Sequence, residues 1–197
     1  MGALESFYSN DSRRLEAVFD HCFSDTENTL LVGGASEPVY RPSDVTQARN
    51  LLYYREDFFA SALHEVAHWC IAGQARRRHV DFGYWYAPEG RNKRQQRAFE
   101  SVEVKPQALE WIFSRACGFR FQVSVDNLDP ETGSLPDTSE FRAQVLLEAR
   151  RRAELGLPAR AERFFHALCT EFGTDLRLES MEFTACLLYT SPSPRDA

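Results

Sequence analysis

Between Phe58 and Ile71 the chain places Phe58, Phe59, Ala62, Leu63, Val66, Ala67, Cys70 and Ile71 at helical spacing, so one wide arc of a single helix is apolar. A helix apolar over so much of its circumference has to be covered by other elements. Whatever the chain folds into is therefore built around this segment, with Gly73 as its expected stop. The same helix carries His64, Glu65 and His68 in the pattern H-E-x-x-H. At about 1.5 Å and 100° per residue, positions i and i+4 lie one turn apart on one face, and both imidazoles can reach one divalent ion. The neighbours Leu63, Ala67 and Trp69 belong to a core helix, which favours a metal site over a pair of surface histidines.

Other elements follow from periodicity. Leu15, Val18, Phe19, Cys22 and Phe23 give an amphipathic first helix. Thr29 to Val32 and Pro38 to Tyr40 read as short strands separated by a Gly33-Gly34 turn and stopped by Pro42. Val80 to Tyr86 is rich in β-formers and predicts a strand beside the metal helix. Arg94 to Cys117 reads helical, with Pro106 kinking it or opening a new helix. Phe119 to Val125 alternates like a half-buried strand, Asp126 to Thr138 reads as loop, and two more helices run over Ser139 to Leu155 and Arg160 to Phe172. The expected class is α+β, a small central sheet flanked by helices with H-E-x-x-H on a core helix.

Two histidines do not close a metal site. No third histidine follows at the spacing H-E-x-x-H-x-x-G-x-x-H, so the remaining ligand is sought on the next helix, where Glu100 and Glu103 sit three apart. Glu103 is preferred because it lies nearer Pro106 and is bracketed by Val102 and Val104. Two histidines and one carboxylate leave coordination positions open, which suits non-heme Fe(II) binding oxygen and equally zinc binding water. In a zinc hydrolase, whether peptidase or ribonuclease, Glu65 is the general base; in an iron enzyme it handles protons beside the metal. A rival triad of His79, Asp81 and His166, with Arg177 beyond, matches the H-x-D…H of 2-oxoglutarate oxygenases. That chemistry rides on a double-stranded β-helix of about eight strands, and His166 falls in a helical run of a chain with too few strands.

Composition narrows the setting. The 197 residues with 43% hydrophobic and 13% aromatic side chains are one globular domain's worth, too apolar for a disordered chain. No apolar run reaches the roughly 18 residues of a membrane span, and MGALESFYSNDSRR has no signal core, so a cytoplasmic protein without membrane partners is expected. Five widely spaced cysteines with no C-x-x-C pair read as reduced thiols. The net charge of -6 conceals a local +5 carried by Arg76, Arg77, Arg78, Arg91, Lys93, Arg94 and Arg97 against Asp81 and Glu89. Such a stretch suits an anionic partner. The final run CLLYTSPSPRDA reads as cloning read-through, which leaves residues 1–184 as the expected catalytic domain and 185–197 as a non-native or disordered tail.

The stretches ASALHEVAHWCIAGQARR, VDFGYWYAPEGR and FESVEVKPQALEWIF, with weaker likeness around Glu37-Pro38-Val39-Tyr40, resemble the bacterial elongation factor P hydroxylases. The resemblance implies an iron-dependent enzyme that uses molecular oxygen to hydroxylate the β-lysylated lysine of elongation factor P. It also implies a fold like that of a small metal-dependent ribonuclease, and a metal held by His64, His68 and Glu103. The basic stretch then meets an acidic, transfer-RNA-shaped protein, and direct nucleic-acid binding is not expected.

Overall fold

The computed structural model describes residues 11–81, 91–124 and 137–188. Helix α1 (Ser12–Phe23) opens where the Asp11 carboxylate accepts a hydrogen bond from the Arg13 amide, and it turns Leu15, Val18, Phe19, Cys22 and Phe23 into the core. Three strands follow, β1 (Thr29–Ala35), β2 (Val39–Arg41) and β3 (Asn50–Arg55). They form a mixed sheet in the order β1-β3-β2, with β3 parallel to β1 and antiparallel to β2. The chain is thus α+β, with five helices and a small sheet among the described residues.

The central strand β3 is absent from the sequence reading. Its run Leu51-Leu52-Tyr53-Tyr54 lacks the alternation of a half-exposed strand, because both sheet faces are at least partly covered there. Gly33-Gly34 is also not a turn: β1 continues through both glycines to Ala35, with a register shift between Val32 and Ala35. A Cβ on Gly33 would lie 2.6 Å from the Tyr54 hydroxyl oxygen and 2.9 Å from the Glu56 carbonyl, so only glycine lets the Tyr54 ring cross β1 here. One oxygen of Glu16 accepts from both the Gly33 amide and the Tyr54 hydroxyl, each at 2.9 Å, fastening α1 to two strands.

Helix α2 (Phe59–Ile71) packs against β3 on one side and α3 on another, leaving Ala62, Leu63, Val66 and Ala67 without solvent contact. Trp69 lies 5.0 Å and 4.8 Å from the rings of Phe19 and Phe23. Its indole also carries the Arg160 guanidinium, 4.6 Å from the ring centre. The same guanidinium donates to the Trp69 and Cys70 carbonyls at 2.9 and 3.1 Å and to that of Ala72, a cation capping the negative end of the helix.

Helix α3 (Lys93–Ala116) begins at an Asn92 capping box and runs through Pro106 as one element, so no new helix starts at the proline. Proline removes one donor there, but the following stretch from Gln107 to Phe113 is buried on its neighbours, and packing holds the helix together. The strand expected over Phe119 to Val125 does not form over 119–124. Phe121 stacks on Trp111 at 5.5 Å, and the Gln107 side chain bonds both the amide and the carbonyl of Ser124. A helix side chain thus does the work of a neighbouring strand, and the alternation records packing on α3. Of the strand expected at Val80, Asp81 forms an isolated antiparallel bridge with Tyr40, and 82–86 lie outside the described residues.

Helices α4 (Ser139–Leu155) and α5 (Ala159–Phe172) pack on α3, α5 also touching α1 and α2. Short 3-10 turns cover Leu178–Ser180 and Ala185–Leu188; Leu188 is buried and its carbonyl accepts from Arg142 at 2.7 Å. Among the described residues no helix is long and apolar enough to cross a membrane, and Cys22, Cys70, Cys117 and Cys169 are free thiols.

The ring cluster of Phe19, Phe23, Trp69 and Phe164 ties α1, α2 and α5 together. Phe19→Ala should cost about 3–5 kcal/mol of stability. Urea unfolding followed by tryptophan fluorescence measures this, and a loss below about 1 kcal/mol would show that the cluster is not what joins these helices.

Candidate metal centre

The helical rise of α2 puts His64 and His68 on one edge of the helix, their ring centres 4.6 Å apart and their Nε2 atoms 3.0 Å apart. That edge faces α3, from which Glu103 reaches both rings. One carboxylate oxygen lies 3.2 Å from His68 Nε2 and the other 3.5 Å from His64 Nε2. The donor atoms of His64, His68 and Glu103 all fall within 4.8 Å of one another, the one such cluster among the described residues. Two imidazole nitrogens and a carboxylate at this separation fit a borderline divalent metal.

Of the two carboxylates weighed on α3, Glu103 meets the imidazoles, while Glu100 accepts a hydrogen bond from Gln96 at 2.9 Å. Glu65 lies on the same turn as His64 but faces a cavity of about 30 Å³, also lined by His68, Tyr40, Trp69, Arg77 and Asp81. That is room for a water-sized ligand. Glu65 makes no hydrogen bond or ion pair with the described residues. A wider groove of about 370 Å³ shares Tyr40 and Arg77 with this cavity.

Glu110 is the residue the sequence reading missed. It is 1% exposed, and its carboxylate sits 2.8 Å from His64 Nδ1. A signal was available in the spacing. Gln96, Glu100, Glu103, Gln107, Glu110 and Ser114 recur alternately at four and three residues, a polar stripe along α3 that is buried at every position but Glu100. The rival triad does not assemble: His79 and His166 are exposed, His166 on α5, and neither joins the cluster.

The basic stretch is smaller than its charge count. Arg76 is paired with Asp81, and Arg77 with Glu27 at 2.6 Å. Arg91 is buried, donating to Gln96 at 2.9 Å with its guanidinium 4.0 Å from the centre of the Phe99 ring. Counting charges along a sequence treats every arginine as solvated, whereas these three are spent on the fold. Arg78, Arg94 and Arg97 are exposed; Tyr84 and Trp85 lie outside the described residues.

Burial opposes a charge on His64, but the hydrogen bond and carboxylate of Glu110, with Glu103 and Glu65 behind, overcome it and raise the imidazole to about 10. Burial likewise pushes Glu103 upward, and the charge and close approach of His68, with the charge of His64, outweigh it and bring the carboxyl down to about 2. Glu65 is raised, by burial first and by Glu103 and Glu110 further, against the pull of the two histidines. In the metal-free protein the His64 contribution to stability is full below its ordinary 6.5 and is lost as pH rises through about 10. The Glu103 contribution is full above its ordinary 4.5 and is lost as pH falls through about 2. In chelator, the stability gap between the parent and Glu103→Gln should therefore be widest between about pH 4.5 and 6.5 and shrink at both extremes. Denaturant unfolding at a series of pH values tests this; a gap still widening at pH 10 contradicts the assignment.

Comparison with known sequences identifies the family. The profile of the elongation factor P hydroxylases matches residues 18–183. A curated relative, the elongation factor P lysine hydroxylase of Haemophilus influenzae, is 46% identical over 170 residues, which cover 85% of this chain and 94% of the relative. With a match of that extent running through both helices of the centre, the chain belongs to the elongation factor P hydroxylase family.

Proposed function

We propose that this protein hydroxylates the modified lysine of elongation factor P, after that lysine has received its β-lysyl group, in an oxygen-dependent reaction at a mononuclear non-heme Fe(II) centre. The observation that carries the chemistry is the convergence of His64, His68 and Glu103 on one point between α2 and α3; family membership carries the substrate. His64 and His68 would hold the ion through Nε2, with Glu103 as the anionic ligand. A metal held there would supply oxygen activation for inserting one oxygen atom into a substrate C–H bond, the second oxygen leaving as water with two electrons and two protons from an external donor. Glu65, a half-buried carboxyl with raised pKa beside His68, holds or delivers a proton at the cavity that adjoins the centre. That cavity suits a ligand of dioxygen or water size.

In this reading the catalytic unit spans residues 1–184 and works in the cytoplasm; the family match ends at 183, while Leu188 beyond it is buried and bonded to Arg142. The mixed sheet with the H-E-x-x-H helix laid on its central strand supports the likeness to small metal-dependent ribonucleases.

His64→Ala, His68→Ala and Glu103→Ala should each lose stoichiometric metal and hydroxylation while keeping the fold, and Glu100→Ala should keep both. Anaerobic loading with Fe(II) or Zn(II), then air and β-lysylated elongation factor P, is read by mass spectrometry for one added oxygen atom. Turnover with zinc but not iron, or hydrolysis in place of oxygen addition, would replace the hydroxylase with a zinc hydrolase. Reversing the exposed Arg94 and Arg97 to Glu should raise KM several-fold at low salt and leave kcat nearly unchanged, because steering acts on encounter. A KM equal to that of the parent at every salt concentration would place the substrate on another face.

A further inference from the structure

We infer that Glu110 is a positioning residue for the metal centre: it fixes the tautomer and orientation of His64, so that Nε2 rather than Nδ1 is the nitrogen presented to the ion. The inference rests on the metal-dependent reading above and goes beyond it, since Glu110 is no part of the cluster of candidate ligands. An imidazole has two nitrogens, and in its neutral form only one is free to bind a metal. At 2.8 Å, the Glu110 carboxylate is an acceptor on the Nδ1 side, so the His64 proton belongs on Nδ1 and the lone pair on Nε2. His64 Nε2 is the atom that points to His68 Nε2, 3.0 Å away, and to Glu103.

Burial makes the assignment one-sided. Glu110 is 1% exposed, so no bulk solvent competes for its carboxylate, and rotating His64 to offer Nδ1 to the metal would break the 2.8 Å hydrogen bond inside the core. Gln107, one turn beyond Glu103 and 1% exposed, is itself held by the amide and carbonyl of Ser124. One helix therefore carries a ligand, Glu103, together with the group that orients its partner His64. The spacing of Glu103, Gln107 and Glu110, four and then three residues, keeps all three on the face turned toward α2.

The test compares the parent with Glu110→Gln and Glu110→Ala. Glutamine keeps an acceptor at the same reach but loses the charge, whereas alanine removes the acceptor. All three proteins should still bind one equivalent of Co(II) at saturation, because the ligands are intact. Affinity should fall in the order parent, Gln, Ala, with the Ala variant weaker by about 10- to 100-fold. Independently of activity, the His64 Nδ1 proton in the zinc-loaded protein should give a strongly downfield NMR signal in the parent, a shifted one in Glu110→Gln, and none in Glu110→Ala. Should Glu110→Ala fail to fold, Glu110→Gln with its shifted proton resonance and intermediate affinity carries the test alone. Parent affinity in a folded Glu110→Ala protein overturns the inference, as does loss of the whole equivalent, which would make Glu110 a ligand itself. A parent that binds no metal overturns the centre and this inference with it, whereas a parent that binds metal beside an unaffected Glu110→Ala overturns the positioning role alone.

Discussion

The structure depends on how α2 disposes of its two sides. Ala62, Leu63, Val66 and Ala67 are sealed in the apolar core, yet the same helix carries two imidazoles into its interior. Buried polar groups are tolerated only where they are met by partners. The partner here is another helix with its own polar seam, and the α2–α3 contact becomes the place where all that buried polarity is reconciled. Glu103 and Glu110 approach the histidines from α3 at 2.8 to 3.5 Å, and each is at most 4% exposed.

Much of this was legible in the sequence because it is local. A 3.6-residue period and an i, i+4 pair of histidines specify α2 and its metal-facing edge without knowledge of anything else. Of the two carboxylates weighed, Glu103 is the one near the imidazoles, while Glu100 is engaged by Gln96. What escaped the sequence is relational. Strand β3 carries no alternation because it is the middle of the sheet with helix α2 laid upon it. The alternation of Phe119 to Val123 has a strand's period but is satisfied by Trp111 and Gln107, side chains of a helix. Glu110 looked like any acid on a long helix until the stripe it belongs to was seen to face His64.

Charge was the least transferable quantity. The local +5 stretch suggested a docking face, but Arg76 and Arg77 are spent on Asp81 and Glu27, and Arg91 is stacked on Phe99 inside the fold. Arginine is suited to such roles because its guanidinium is planar, stays charged, and lies flat on aromatic faces at modest desolvation cost. Arg160 on Trp69 is a further instance of the same habit.

That Arg160 contact has a temporal side. The carbonyls closing the last turn of α2 are bonded by a guanidinium 88 to 91 residues later in the chain. During synthesis the helix bearing both histidines can form early, since its hydrogen bonds are local, but its carboxyl-terminal turn stays uncapped until α5 has emerged and docked. A nascent chain interrupted before Arg160 therefore carries the ligand pair on a helix with a frayed end beside an unfilled indole face. Completion of the centre is in this sense a late event in the life of the polypeptide, set by the order in which its residues leave the ribosome.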